Sequence, residues 1–177
     1  MKLNRFHFVI TAMMLAAAGC NDDDDNNGST EVIAEMDKQF LLTAADGGLF
    51  EVNAGQVASS EGTVTAIKNY GQDMVGDHTE MNKELMSLAD KNDVDLPTTL
   101  SNKMQLKLDT LSGISGTAFD TTYVKMMVTS HLETVNLFET QSINGRSAEL
   151  KSWAAEKLPE LRAHLEMARS LKDSTSK

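Results

Sequence analysis

The chain has 177 residues, one cysteine, two prolines and a formal charge of -10 at neutral pH. Such an acidic surface repels phosphate backbones and anionic headgroups, which excludes nucleic acid and any membrane contact made through basic residues. A lone cysteine excludes an intramolecular disulfide, and a composition poor in aromatics but rich in Met, Leu and Ala points away from sheets and towards helices.

Residues 1–19 begin with Lys2 and Arg5, continue as an apolar run from Phe6 to Ala18, and leave through Ala17-Ala18-Gly19. That order predicts a secretory signal. The run is too short to span a hydrocarbon layer of about 30 Å as a helix. Cys20 follows directly, where its thiol can receive diacylglycerol, so it is the predicted lipidation site and membrane anchor. The alternative is an ordinary cleavable signal that leaves a free thiol. Residues 20–30, with Asp22-Asp23-Asp24-Asp25-Asn26-Asn27-Gly28, are too polar to bury anything and read as a solvated tether. Asn21 rather than Asp after the cysteine favours the outer membrane, facing the periplasm, while the acidic tract keeps surface display open.

Residues 31–172 read as one helical domain and 173–177 as a tail. Apolar or small residues recur at spacings of three and four, the mark of a helix burying one stripe. A first helix over Val32–Ser60 carries Phe40, Ala44, Gly47, Glu51, Ala54 and Ala58, with Gly47-Gly48 as its weak point. A second over Thr63–Asn92 carries Val64, Ile67, Gly71, Met74, His78, Met81, Leu85 and Leu88. Asp95-Leu96-Pro97 ends it, and a short helix over Thr98–Leu111 follows. A fourth over Thr117–Ile143 carries Val124, Met127, His131, Thr134 and Phe138, and Asn144-Gly145 closes it. The last, over Ser147–Leu171, aligns Leu150, Ala154, Leu158, Leu161, Leu165 and Ala168 beside His164; Pro159 should kink or restart it. Trp153 and Tyr123 are expected at the boundary of the core. Four long helices with short links and one small extra helix predict an all-α, up-and-down four-helix bundle.

The chemistry concentrates on the stripes. Met74-Val75-Gly76-Asp77-His78 and Met127-Val128-Thr129-Ser130-His131 each place a Met four residues before a His, hence on one helix face. If the stripes share a centre, Glu51, His78, His131 and His164 project there from four helices. Unpaired burial would cost several kcal/mol for such groups, so they must meet each other, water or a metal. The Glu-x-x-His spacing of di-iron carboxylate bundles is missing, because Val75, Val128 and Leu161 stand three residues before the histidines. Imidazole with the thioethers of Met74 and Met127 suits copper or zinc better than iron by ligand softness. Met at helical spacing also serves as core filler, and a Glu-His cluster of structural use is the alternative to a metal site. Gly113-Ile114-Ser115-Gly116 lacks the lysine of a phosphate loop, and no nucleophile–base set is present.

Phe40-Leu41 with Ala44-Ala45, Gly47-Gly48-Leu49, Glu51-Val52, Met74-Val75-Gly76-Asp77-His78, Leu96-Pro97, Phe119-Asp120 with Tyr123, Met127-Val128 with His131, Leu137-Phe138-Glu139, and Leu158-Pro159 with Leu161 and His164-Leu165 occur in one order along Asp37–Leu171. In these motifs the chain resembles the bacterial secreted helical proteins grouped as domain of unknown function 4142, described as outer membrane proteins. The resemblance implies a ferritin-like four-helix bundle in the cell envelope, with Glu51, His78, His131 and His164 as site residues, and it implies no activity. Ser130 stands where that family often has Asp. The expectation is therefore a lipid-anchored, non-enzymatic bundle with a binding or stress-related role and no identified protein partner. The alternative is a metal-binding or oxidoreductase-like bundle holding copper, zinc or iron.

Overall fold

The apolar stripes fold as five α-helices in the computed structural model, which describes residues 33–175. They are α1 (Glu35–Glu61), α2 (Thr65–Lys91), α3 (Asn102–Ser112), α4 (Gly116–Asn144) and α5 (Ala148–Thr175). The predicted signal, Cys20 and the tether lie outside the described residues. Among the described residues no helix is long and apolar enough to cross a membrane.

The two expected weak points do not break their helices. α1 runs unbroken through Gly47-Gly48, because the helix is packed along its length against α2 and tertiary burial outweighs the propensity cost of about 1 kcal/mol per glycine. α5 neither ends nor restarts at Pro159. Pro159 is exposed, and so is Ala155, whose carbonyl loses its helical partner and can turn to water instead. α5 also continues past the expected end at Leu171 to Thr175. The short helix starts four residues later than expected, at Asn102, where the Ser101 side chain accepts from Met104 N. The carboxylate of Asp46 on α1 holds that start by accepting from Ser101 N at 2.8 Å and Ser101 Oγ at 2.6 Å.

α1 packs chiefly on α2, and α4 on α5, as two hairpins. In the first the backbones nearly touch: a Cβ on Gly55 would lie 2.6 Å from the Gly71 carbonyl oxygen, and one on Gly71 would lie 2.7 Å from that of Gly55. Contacts between the hairpins set the directions. Phe40 meets Phe138 and Glu51 meets Ser130, so α1 and α4 are antiparallel. Asp77 meets His164 and Lys91 meets Glu149, so α2 and α5 are antiparallel as well. Since α1 is antiparallel to both, α2 and α4 run the same way, and the connection through α3 must return along the bundle. Strict alternation of short links therefore fails at this one crossover.

Each hairpin turn is pinned by a buried carboxylate from the other hairpin. Asp37 of α1 accepts from Gln141 Nε2 at 2.7 Å, Arg146 N at 3.0 Å and Ser147 N at 2.8 Å. Asp120 of α4 accepts from Thr63 N at 3.0 Å and from the Thr63 hydroxyl. Backbone amides left over at helix ends are satisfied in this way without water.

The core is not continuous. One apolar cluster gathers Phe40, Leu41, Leu85, Phe138, Leu150 and Trp153. A second gathers Phe50, Ile67, Tyr70, Met74, Tyr123 and Met127. On α2, α4 and α5 the residues that separate the two clusters along the helix are His78, Ser130 with His131, and His164, and Glu51 of α1 meets this layer; all five are buried. Each fully buried Leu or Phe contributes about 1.5–3 kcal/mol, so the clusters hold the bundle and the polar layer between them must be explained otherwise.

Candidate functional site

The three histidines come from three helices; His131 meets the other two edge to face, and His78 and His164 are tilted at 42°. Ring centroids are 5.6 Å apart for His78–His131, 5.6 Å for His78–His164 and 5.4 Å for His131–His164. One ring nitrogen from each lies within 4.8 Å of the other two. Of the residues expected to converge, these three do so fully.

Hydrogen bonds fix which nitrogen is bare on His131 and His164. His131 Nδ1 lies 3.1 Å from the Met127 carbonyl oxygen, which can only accept, so Nδ1 carries the hydrogen. His164 Nε2 lies 3.0 Å from Asp77 Oδ2 and donates to that carboxylate. The opposite nitrogens, His131 Nε2 and His164 Nδ1, are buried without a partner, as is His78 Nε2. Two lone pairs, on His131 Nε2 and His164 Nδ1, and an unpartnered His78 Nε2 are thus buried in this layer. A buried polar group left unmatched costs about 1–3 kcal/mol, which makes this the least satisfied place in the layer.

Burial, first of all, keeps the rings neutral. It pushes His131 down to about 4 and His78 well below its usual range, the latter further disfavoured by its two histidine neighbours. His164 is lowered by burial and by His131, with the Asp77 hydrogen bond opposing. Neutral imidazole is the form that ligates a cation.

Glu51 sits beside this group rather than in it. Its Oε1 accepts from Ser130 Oγ and is 4.0 Å from His131 Nδ1, the nitrogen already turned to Met127. Its Oε2 has no partner, and burial pushes the carboxyl up to about 7 against the pull of the Ser130 hydrogen bond. Met74 and Met127 are fully buried members of the apolar cluster. Their place there is that of core side chains, and Met127 serves the site through its backbone carbonyl.

Several participants escape sequence reading. Asp77 adjoins His78 in sequence yet serves His164 on another helix, a pairing that no local spacing announces. Ser130, expected as a departure from an acid, donates to one oxygen of Glu51. Tyr123, expected at the boundary, is fully buried with its hydroxyl unpartnered, because it stacks on Phe119 and packs on Tyr70 inside the second cluster. Tyr70 donates its hydroxyl to the His164 carbonyl at 3.2 Å and so ties α2 to α5 next to the site. Trp153 is likewise buried, in the first cluster against Phe40 and Phe138, and donates its indole N–H to Glu84 Oε2 at 2.6 Å. A cleft of about 340 Å³ reaches the layer from outside, with His78, Ser130, Gly47, Met81 and Phe138 among its walls.

The donor set fits a borderline or soft divalent cation. Zinc or copper binds imidazole nitrogen at about 2.0–2.1 Å, which places tetrahedral donors roughly 3.3 Å apart, a separation that donors within 4.8 Å reach by side-chain adjustment. An oxygen-rich di-iron set does not fit, since among the described residues no carboxylate joins the three nitrogens in one group.

No curated protein and no solved structure matches the chain. The family model described as domain of unknown function (DUF4142) matches residues 24–171, which include every residue of the polar layer. The chain belongs to that family.

Proposed function

We propose that this protein is a lipid-anchored bundle of the cell envelope that binds a transition metal, zinc or copper, through His78, His131 and His164. The observation that carries the reading is the convergence of one nitrogen from each ring within 4.8 Å, with one nitrogen of each ring left without a hydrogen-bond partner in a buried layer. Structural histidines have their polar atoms matched; ligand histidines have one nitrogen held by an acceptor and the other free. His131 and His164 have that second arrangement.

In this reading the fold is ferritin-like, a reading supported by the single crossover between α2 and α4. Three protein ligands leave a fourth position for water or another small ligand. Glu51 and Ser130 form a hydrogen-bonded pair next to the site, and Glu51, near neutrality in its affinity for a proton, can balance the charge of a bound cation by ionising. The role is binding rather than catalysis, with Cys20 as the membrane anchor and the outer membrane as the location.

The test is metal analysis of the tag-free full chain in a Cys20→Ser background, so that no thiol competes. One equivalent of zinc or copper, lost in His78→Ala/His131→Ala, is the expected result. Equal uptake by both proteins, or none by either, ends the metal reading in favour of a structural polar cluster. Anchoring is checked separately: native Cys20 should partition with membranes and Cys20→Ser should not.

A further inference from the structure

The buried triad has an outer face. His164 is the one ring of the three whose second nitrogen points to a side chain at the surface, Asp77, whose carboxylate is 43% exposed. Glu160 brings another carboxylate to the same edge, and its oxygen, one from Asp77 and a His164 nitrogen lie within 4.8 Å of one another. The hydrogen bond itself, at 3.0 Å, is between His164 Nε2 and Asp77 Oδ2.

We infer that Asp77 is a positioning residue of the metal site: by holding the hydrogen of His164 on Nε2, it turns the Nδ1 lone pair to the cation shared with His78 and His131. Three facts combine. Nδ1 of His164 is buried and unpartnered. Nε2 faces a carboxylate oxygen of Asp77, which accepts when ionised. Asp77 belongs to α2, one residue before His78, so a single turn of helix supplies a ligand and, from its neighbour, the orientation of a second ligand on α5. His131 is oriented in the opposite tautomer by a backbone carbonyl, which no substitution can remove; Asp77 is the orienting group that can be changed without touching a ligand. A carboxylate behind a ligating imidazole raises its basicity and fixes its plane, and loss of such a group costs about 10- to 100-fold in metal affinity.

The inference rests on the metal-binding reading of the triad, and the experiment separates the two. Zinc or copper titration is performed on the full chain and on Asp77→Ala, Asp77→Asn and Glu160→Gln, together with nitrogen NMR of the histidine side chains in metal-free protein. Expected is a tenfold to hundredfold weaker uptake by Asp77→Ala, partial rescue by Asp77→Asn, which keeps an acceptor oxygen, and less than a threefold change in Glu160→Gln. The metal-free His164 should show a bare Nδ1 and a protonated Nε2, giving way to mixed tautomers in Asp77→Ala alone. A merely structural Asp77 would lower thermal stability without moving either readout. Uptake by Asp77→Ala equal to that of the parent chain, with the His164 tautomer unchanged, overturns the inference and leaves the triad standing. Absence of uptake by the parent chain overturns both.

Discussion

Asp37 and Glu51 are buried carboxylates of the same helix with opposite surroundings. Asp37, near the start of α1, gathers a side-chain amide and two backbone amides of the α4–α5 turn and has an acceptor role for both oxygens. Glu51, in the middle of the bundle, has one oxygen on Ser130 and one on nothing. The first charge is matched by the chain and holds the fold. The second is only half matched, lies 4.0 Å from the His131 ring at the edge of the histidine group, and is held in place by the fold at a cost. What separates a structural polar residue from a functional one here is the count of its hydrogen bonds, since depth of burial is the same for both.

The largest effect should come from breaking the matched side. Asp37→Ala leaves Gln141 and the amides of Arg146 and Ser147 without acceptors and should lower unfolding stability by about 3–4 kcal/mol, read by urea denaturation. Glu51→Gln should do the reverse. Because the carboxyl titrates near 7 when folded and near 4.5 when unfolded, ionisation destabilises the native state as pH rises through that window. The variant should be on the order of 3 kcal/mol more stable than its parent at pH 8, and the gap should close towards pH 4. A constant gap across that range would place Glu51 among the structural residues.

The histidines contribute with the opposite pH sign. Their folded affinities for protons lie below the ordinary value of 6.5, so the unfolded chain takes up protons first as pH falls. Stability should therefore decline from about pH 6.5 towards about 4, and His131→Leu, which removes one titrating ring from the buried polar layer, should flatten the decline in thermal melts recorded across that range. The smallest effect falls on Gly47, where a Cβ would meet nothing within 4 Å. Gly47→Ala should stabilise α1 by up to about 1 kcal/mol, whereas Gly55→Ala on the same helix, with a carbonyl 2.6 Å from the new Cβ, should destabilise it. Paired melts of the two variants test whether the glycine pair is a packing device or a slack place beside the cleft.

Most of the fold was written in periodicity that a single chain displays. Ile67, Gly71, Met74, His78, Met81, Leu85 and Leu88 are all buried, as their spacing requires, and Val64, just before α2, is the exposed exception of that stripe. The convergence of His78, His131 and His164 was legible for the same reason: a residue on a buried stripe has few places to point. Less was legible where a partner comes from another helix. Asp77 for His164, Ser130 for Glu51 and Asp120 for Thr63 depend on register between helices, which local sequence does not encode. The weak point at Gly47-Gly48 and the kink or restart expected at Pro159 reflect intrinsic preference, which packing on α2 overrides in the first case and solvent exposure of the freed carbonyl relieves in the second.

The reciprocal pins at Asp37 and Asp120 make each hairpin the clasp of the other. A polypeptide cut in the loop before α3 would yield two pieces, one bearing Asp37 and the Thr63 turn, the other bearing Asp120 and the Arg146 turn, so that each carries one hook and one eye. Such halves have a built-in reason to recombine without a covalent link. They would also divide the histidines between them, His78 in the first and His131 with His164 in the second, so that a cation held by all three rings would report, and reinforce, the rejoining of the halves.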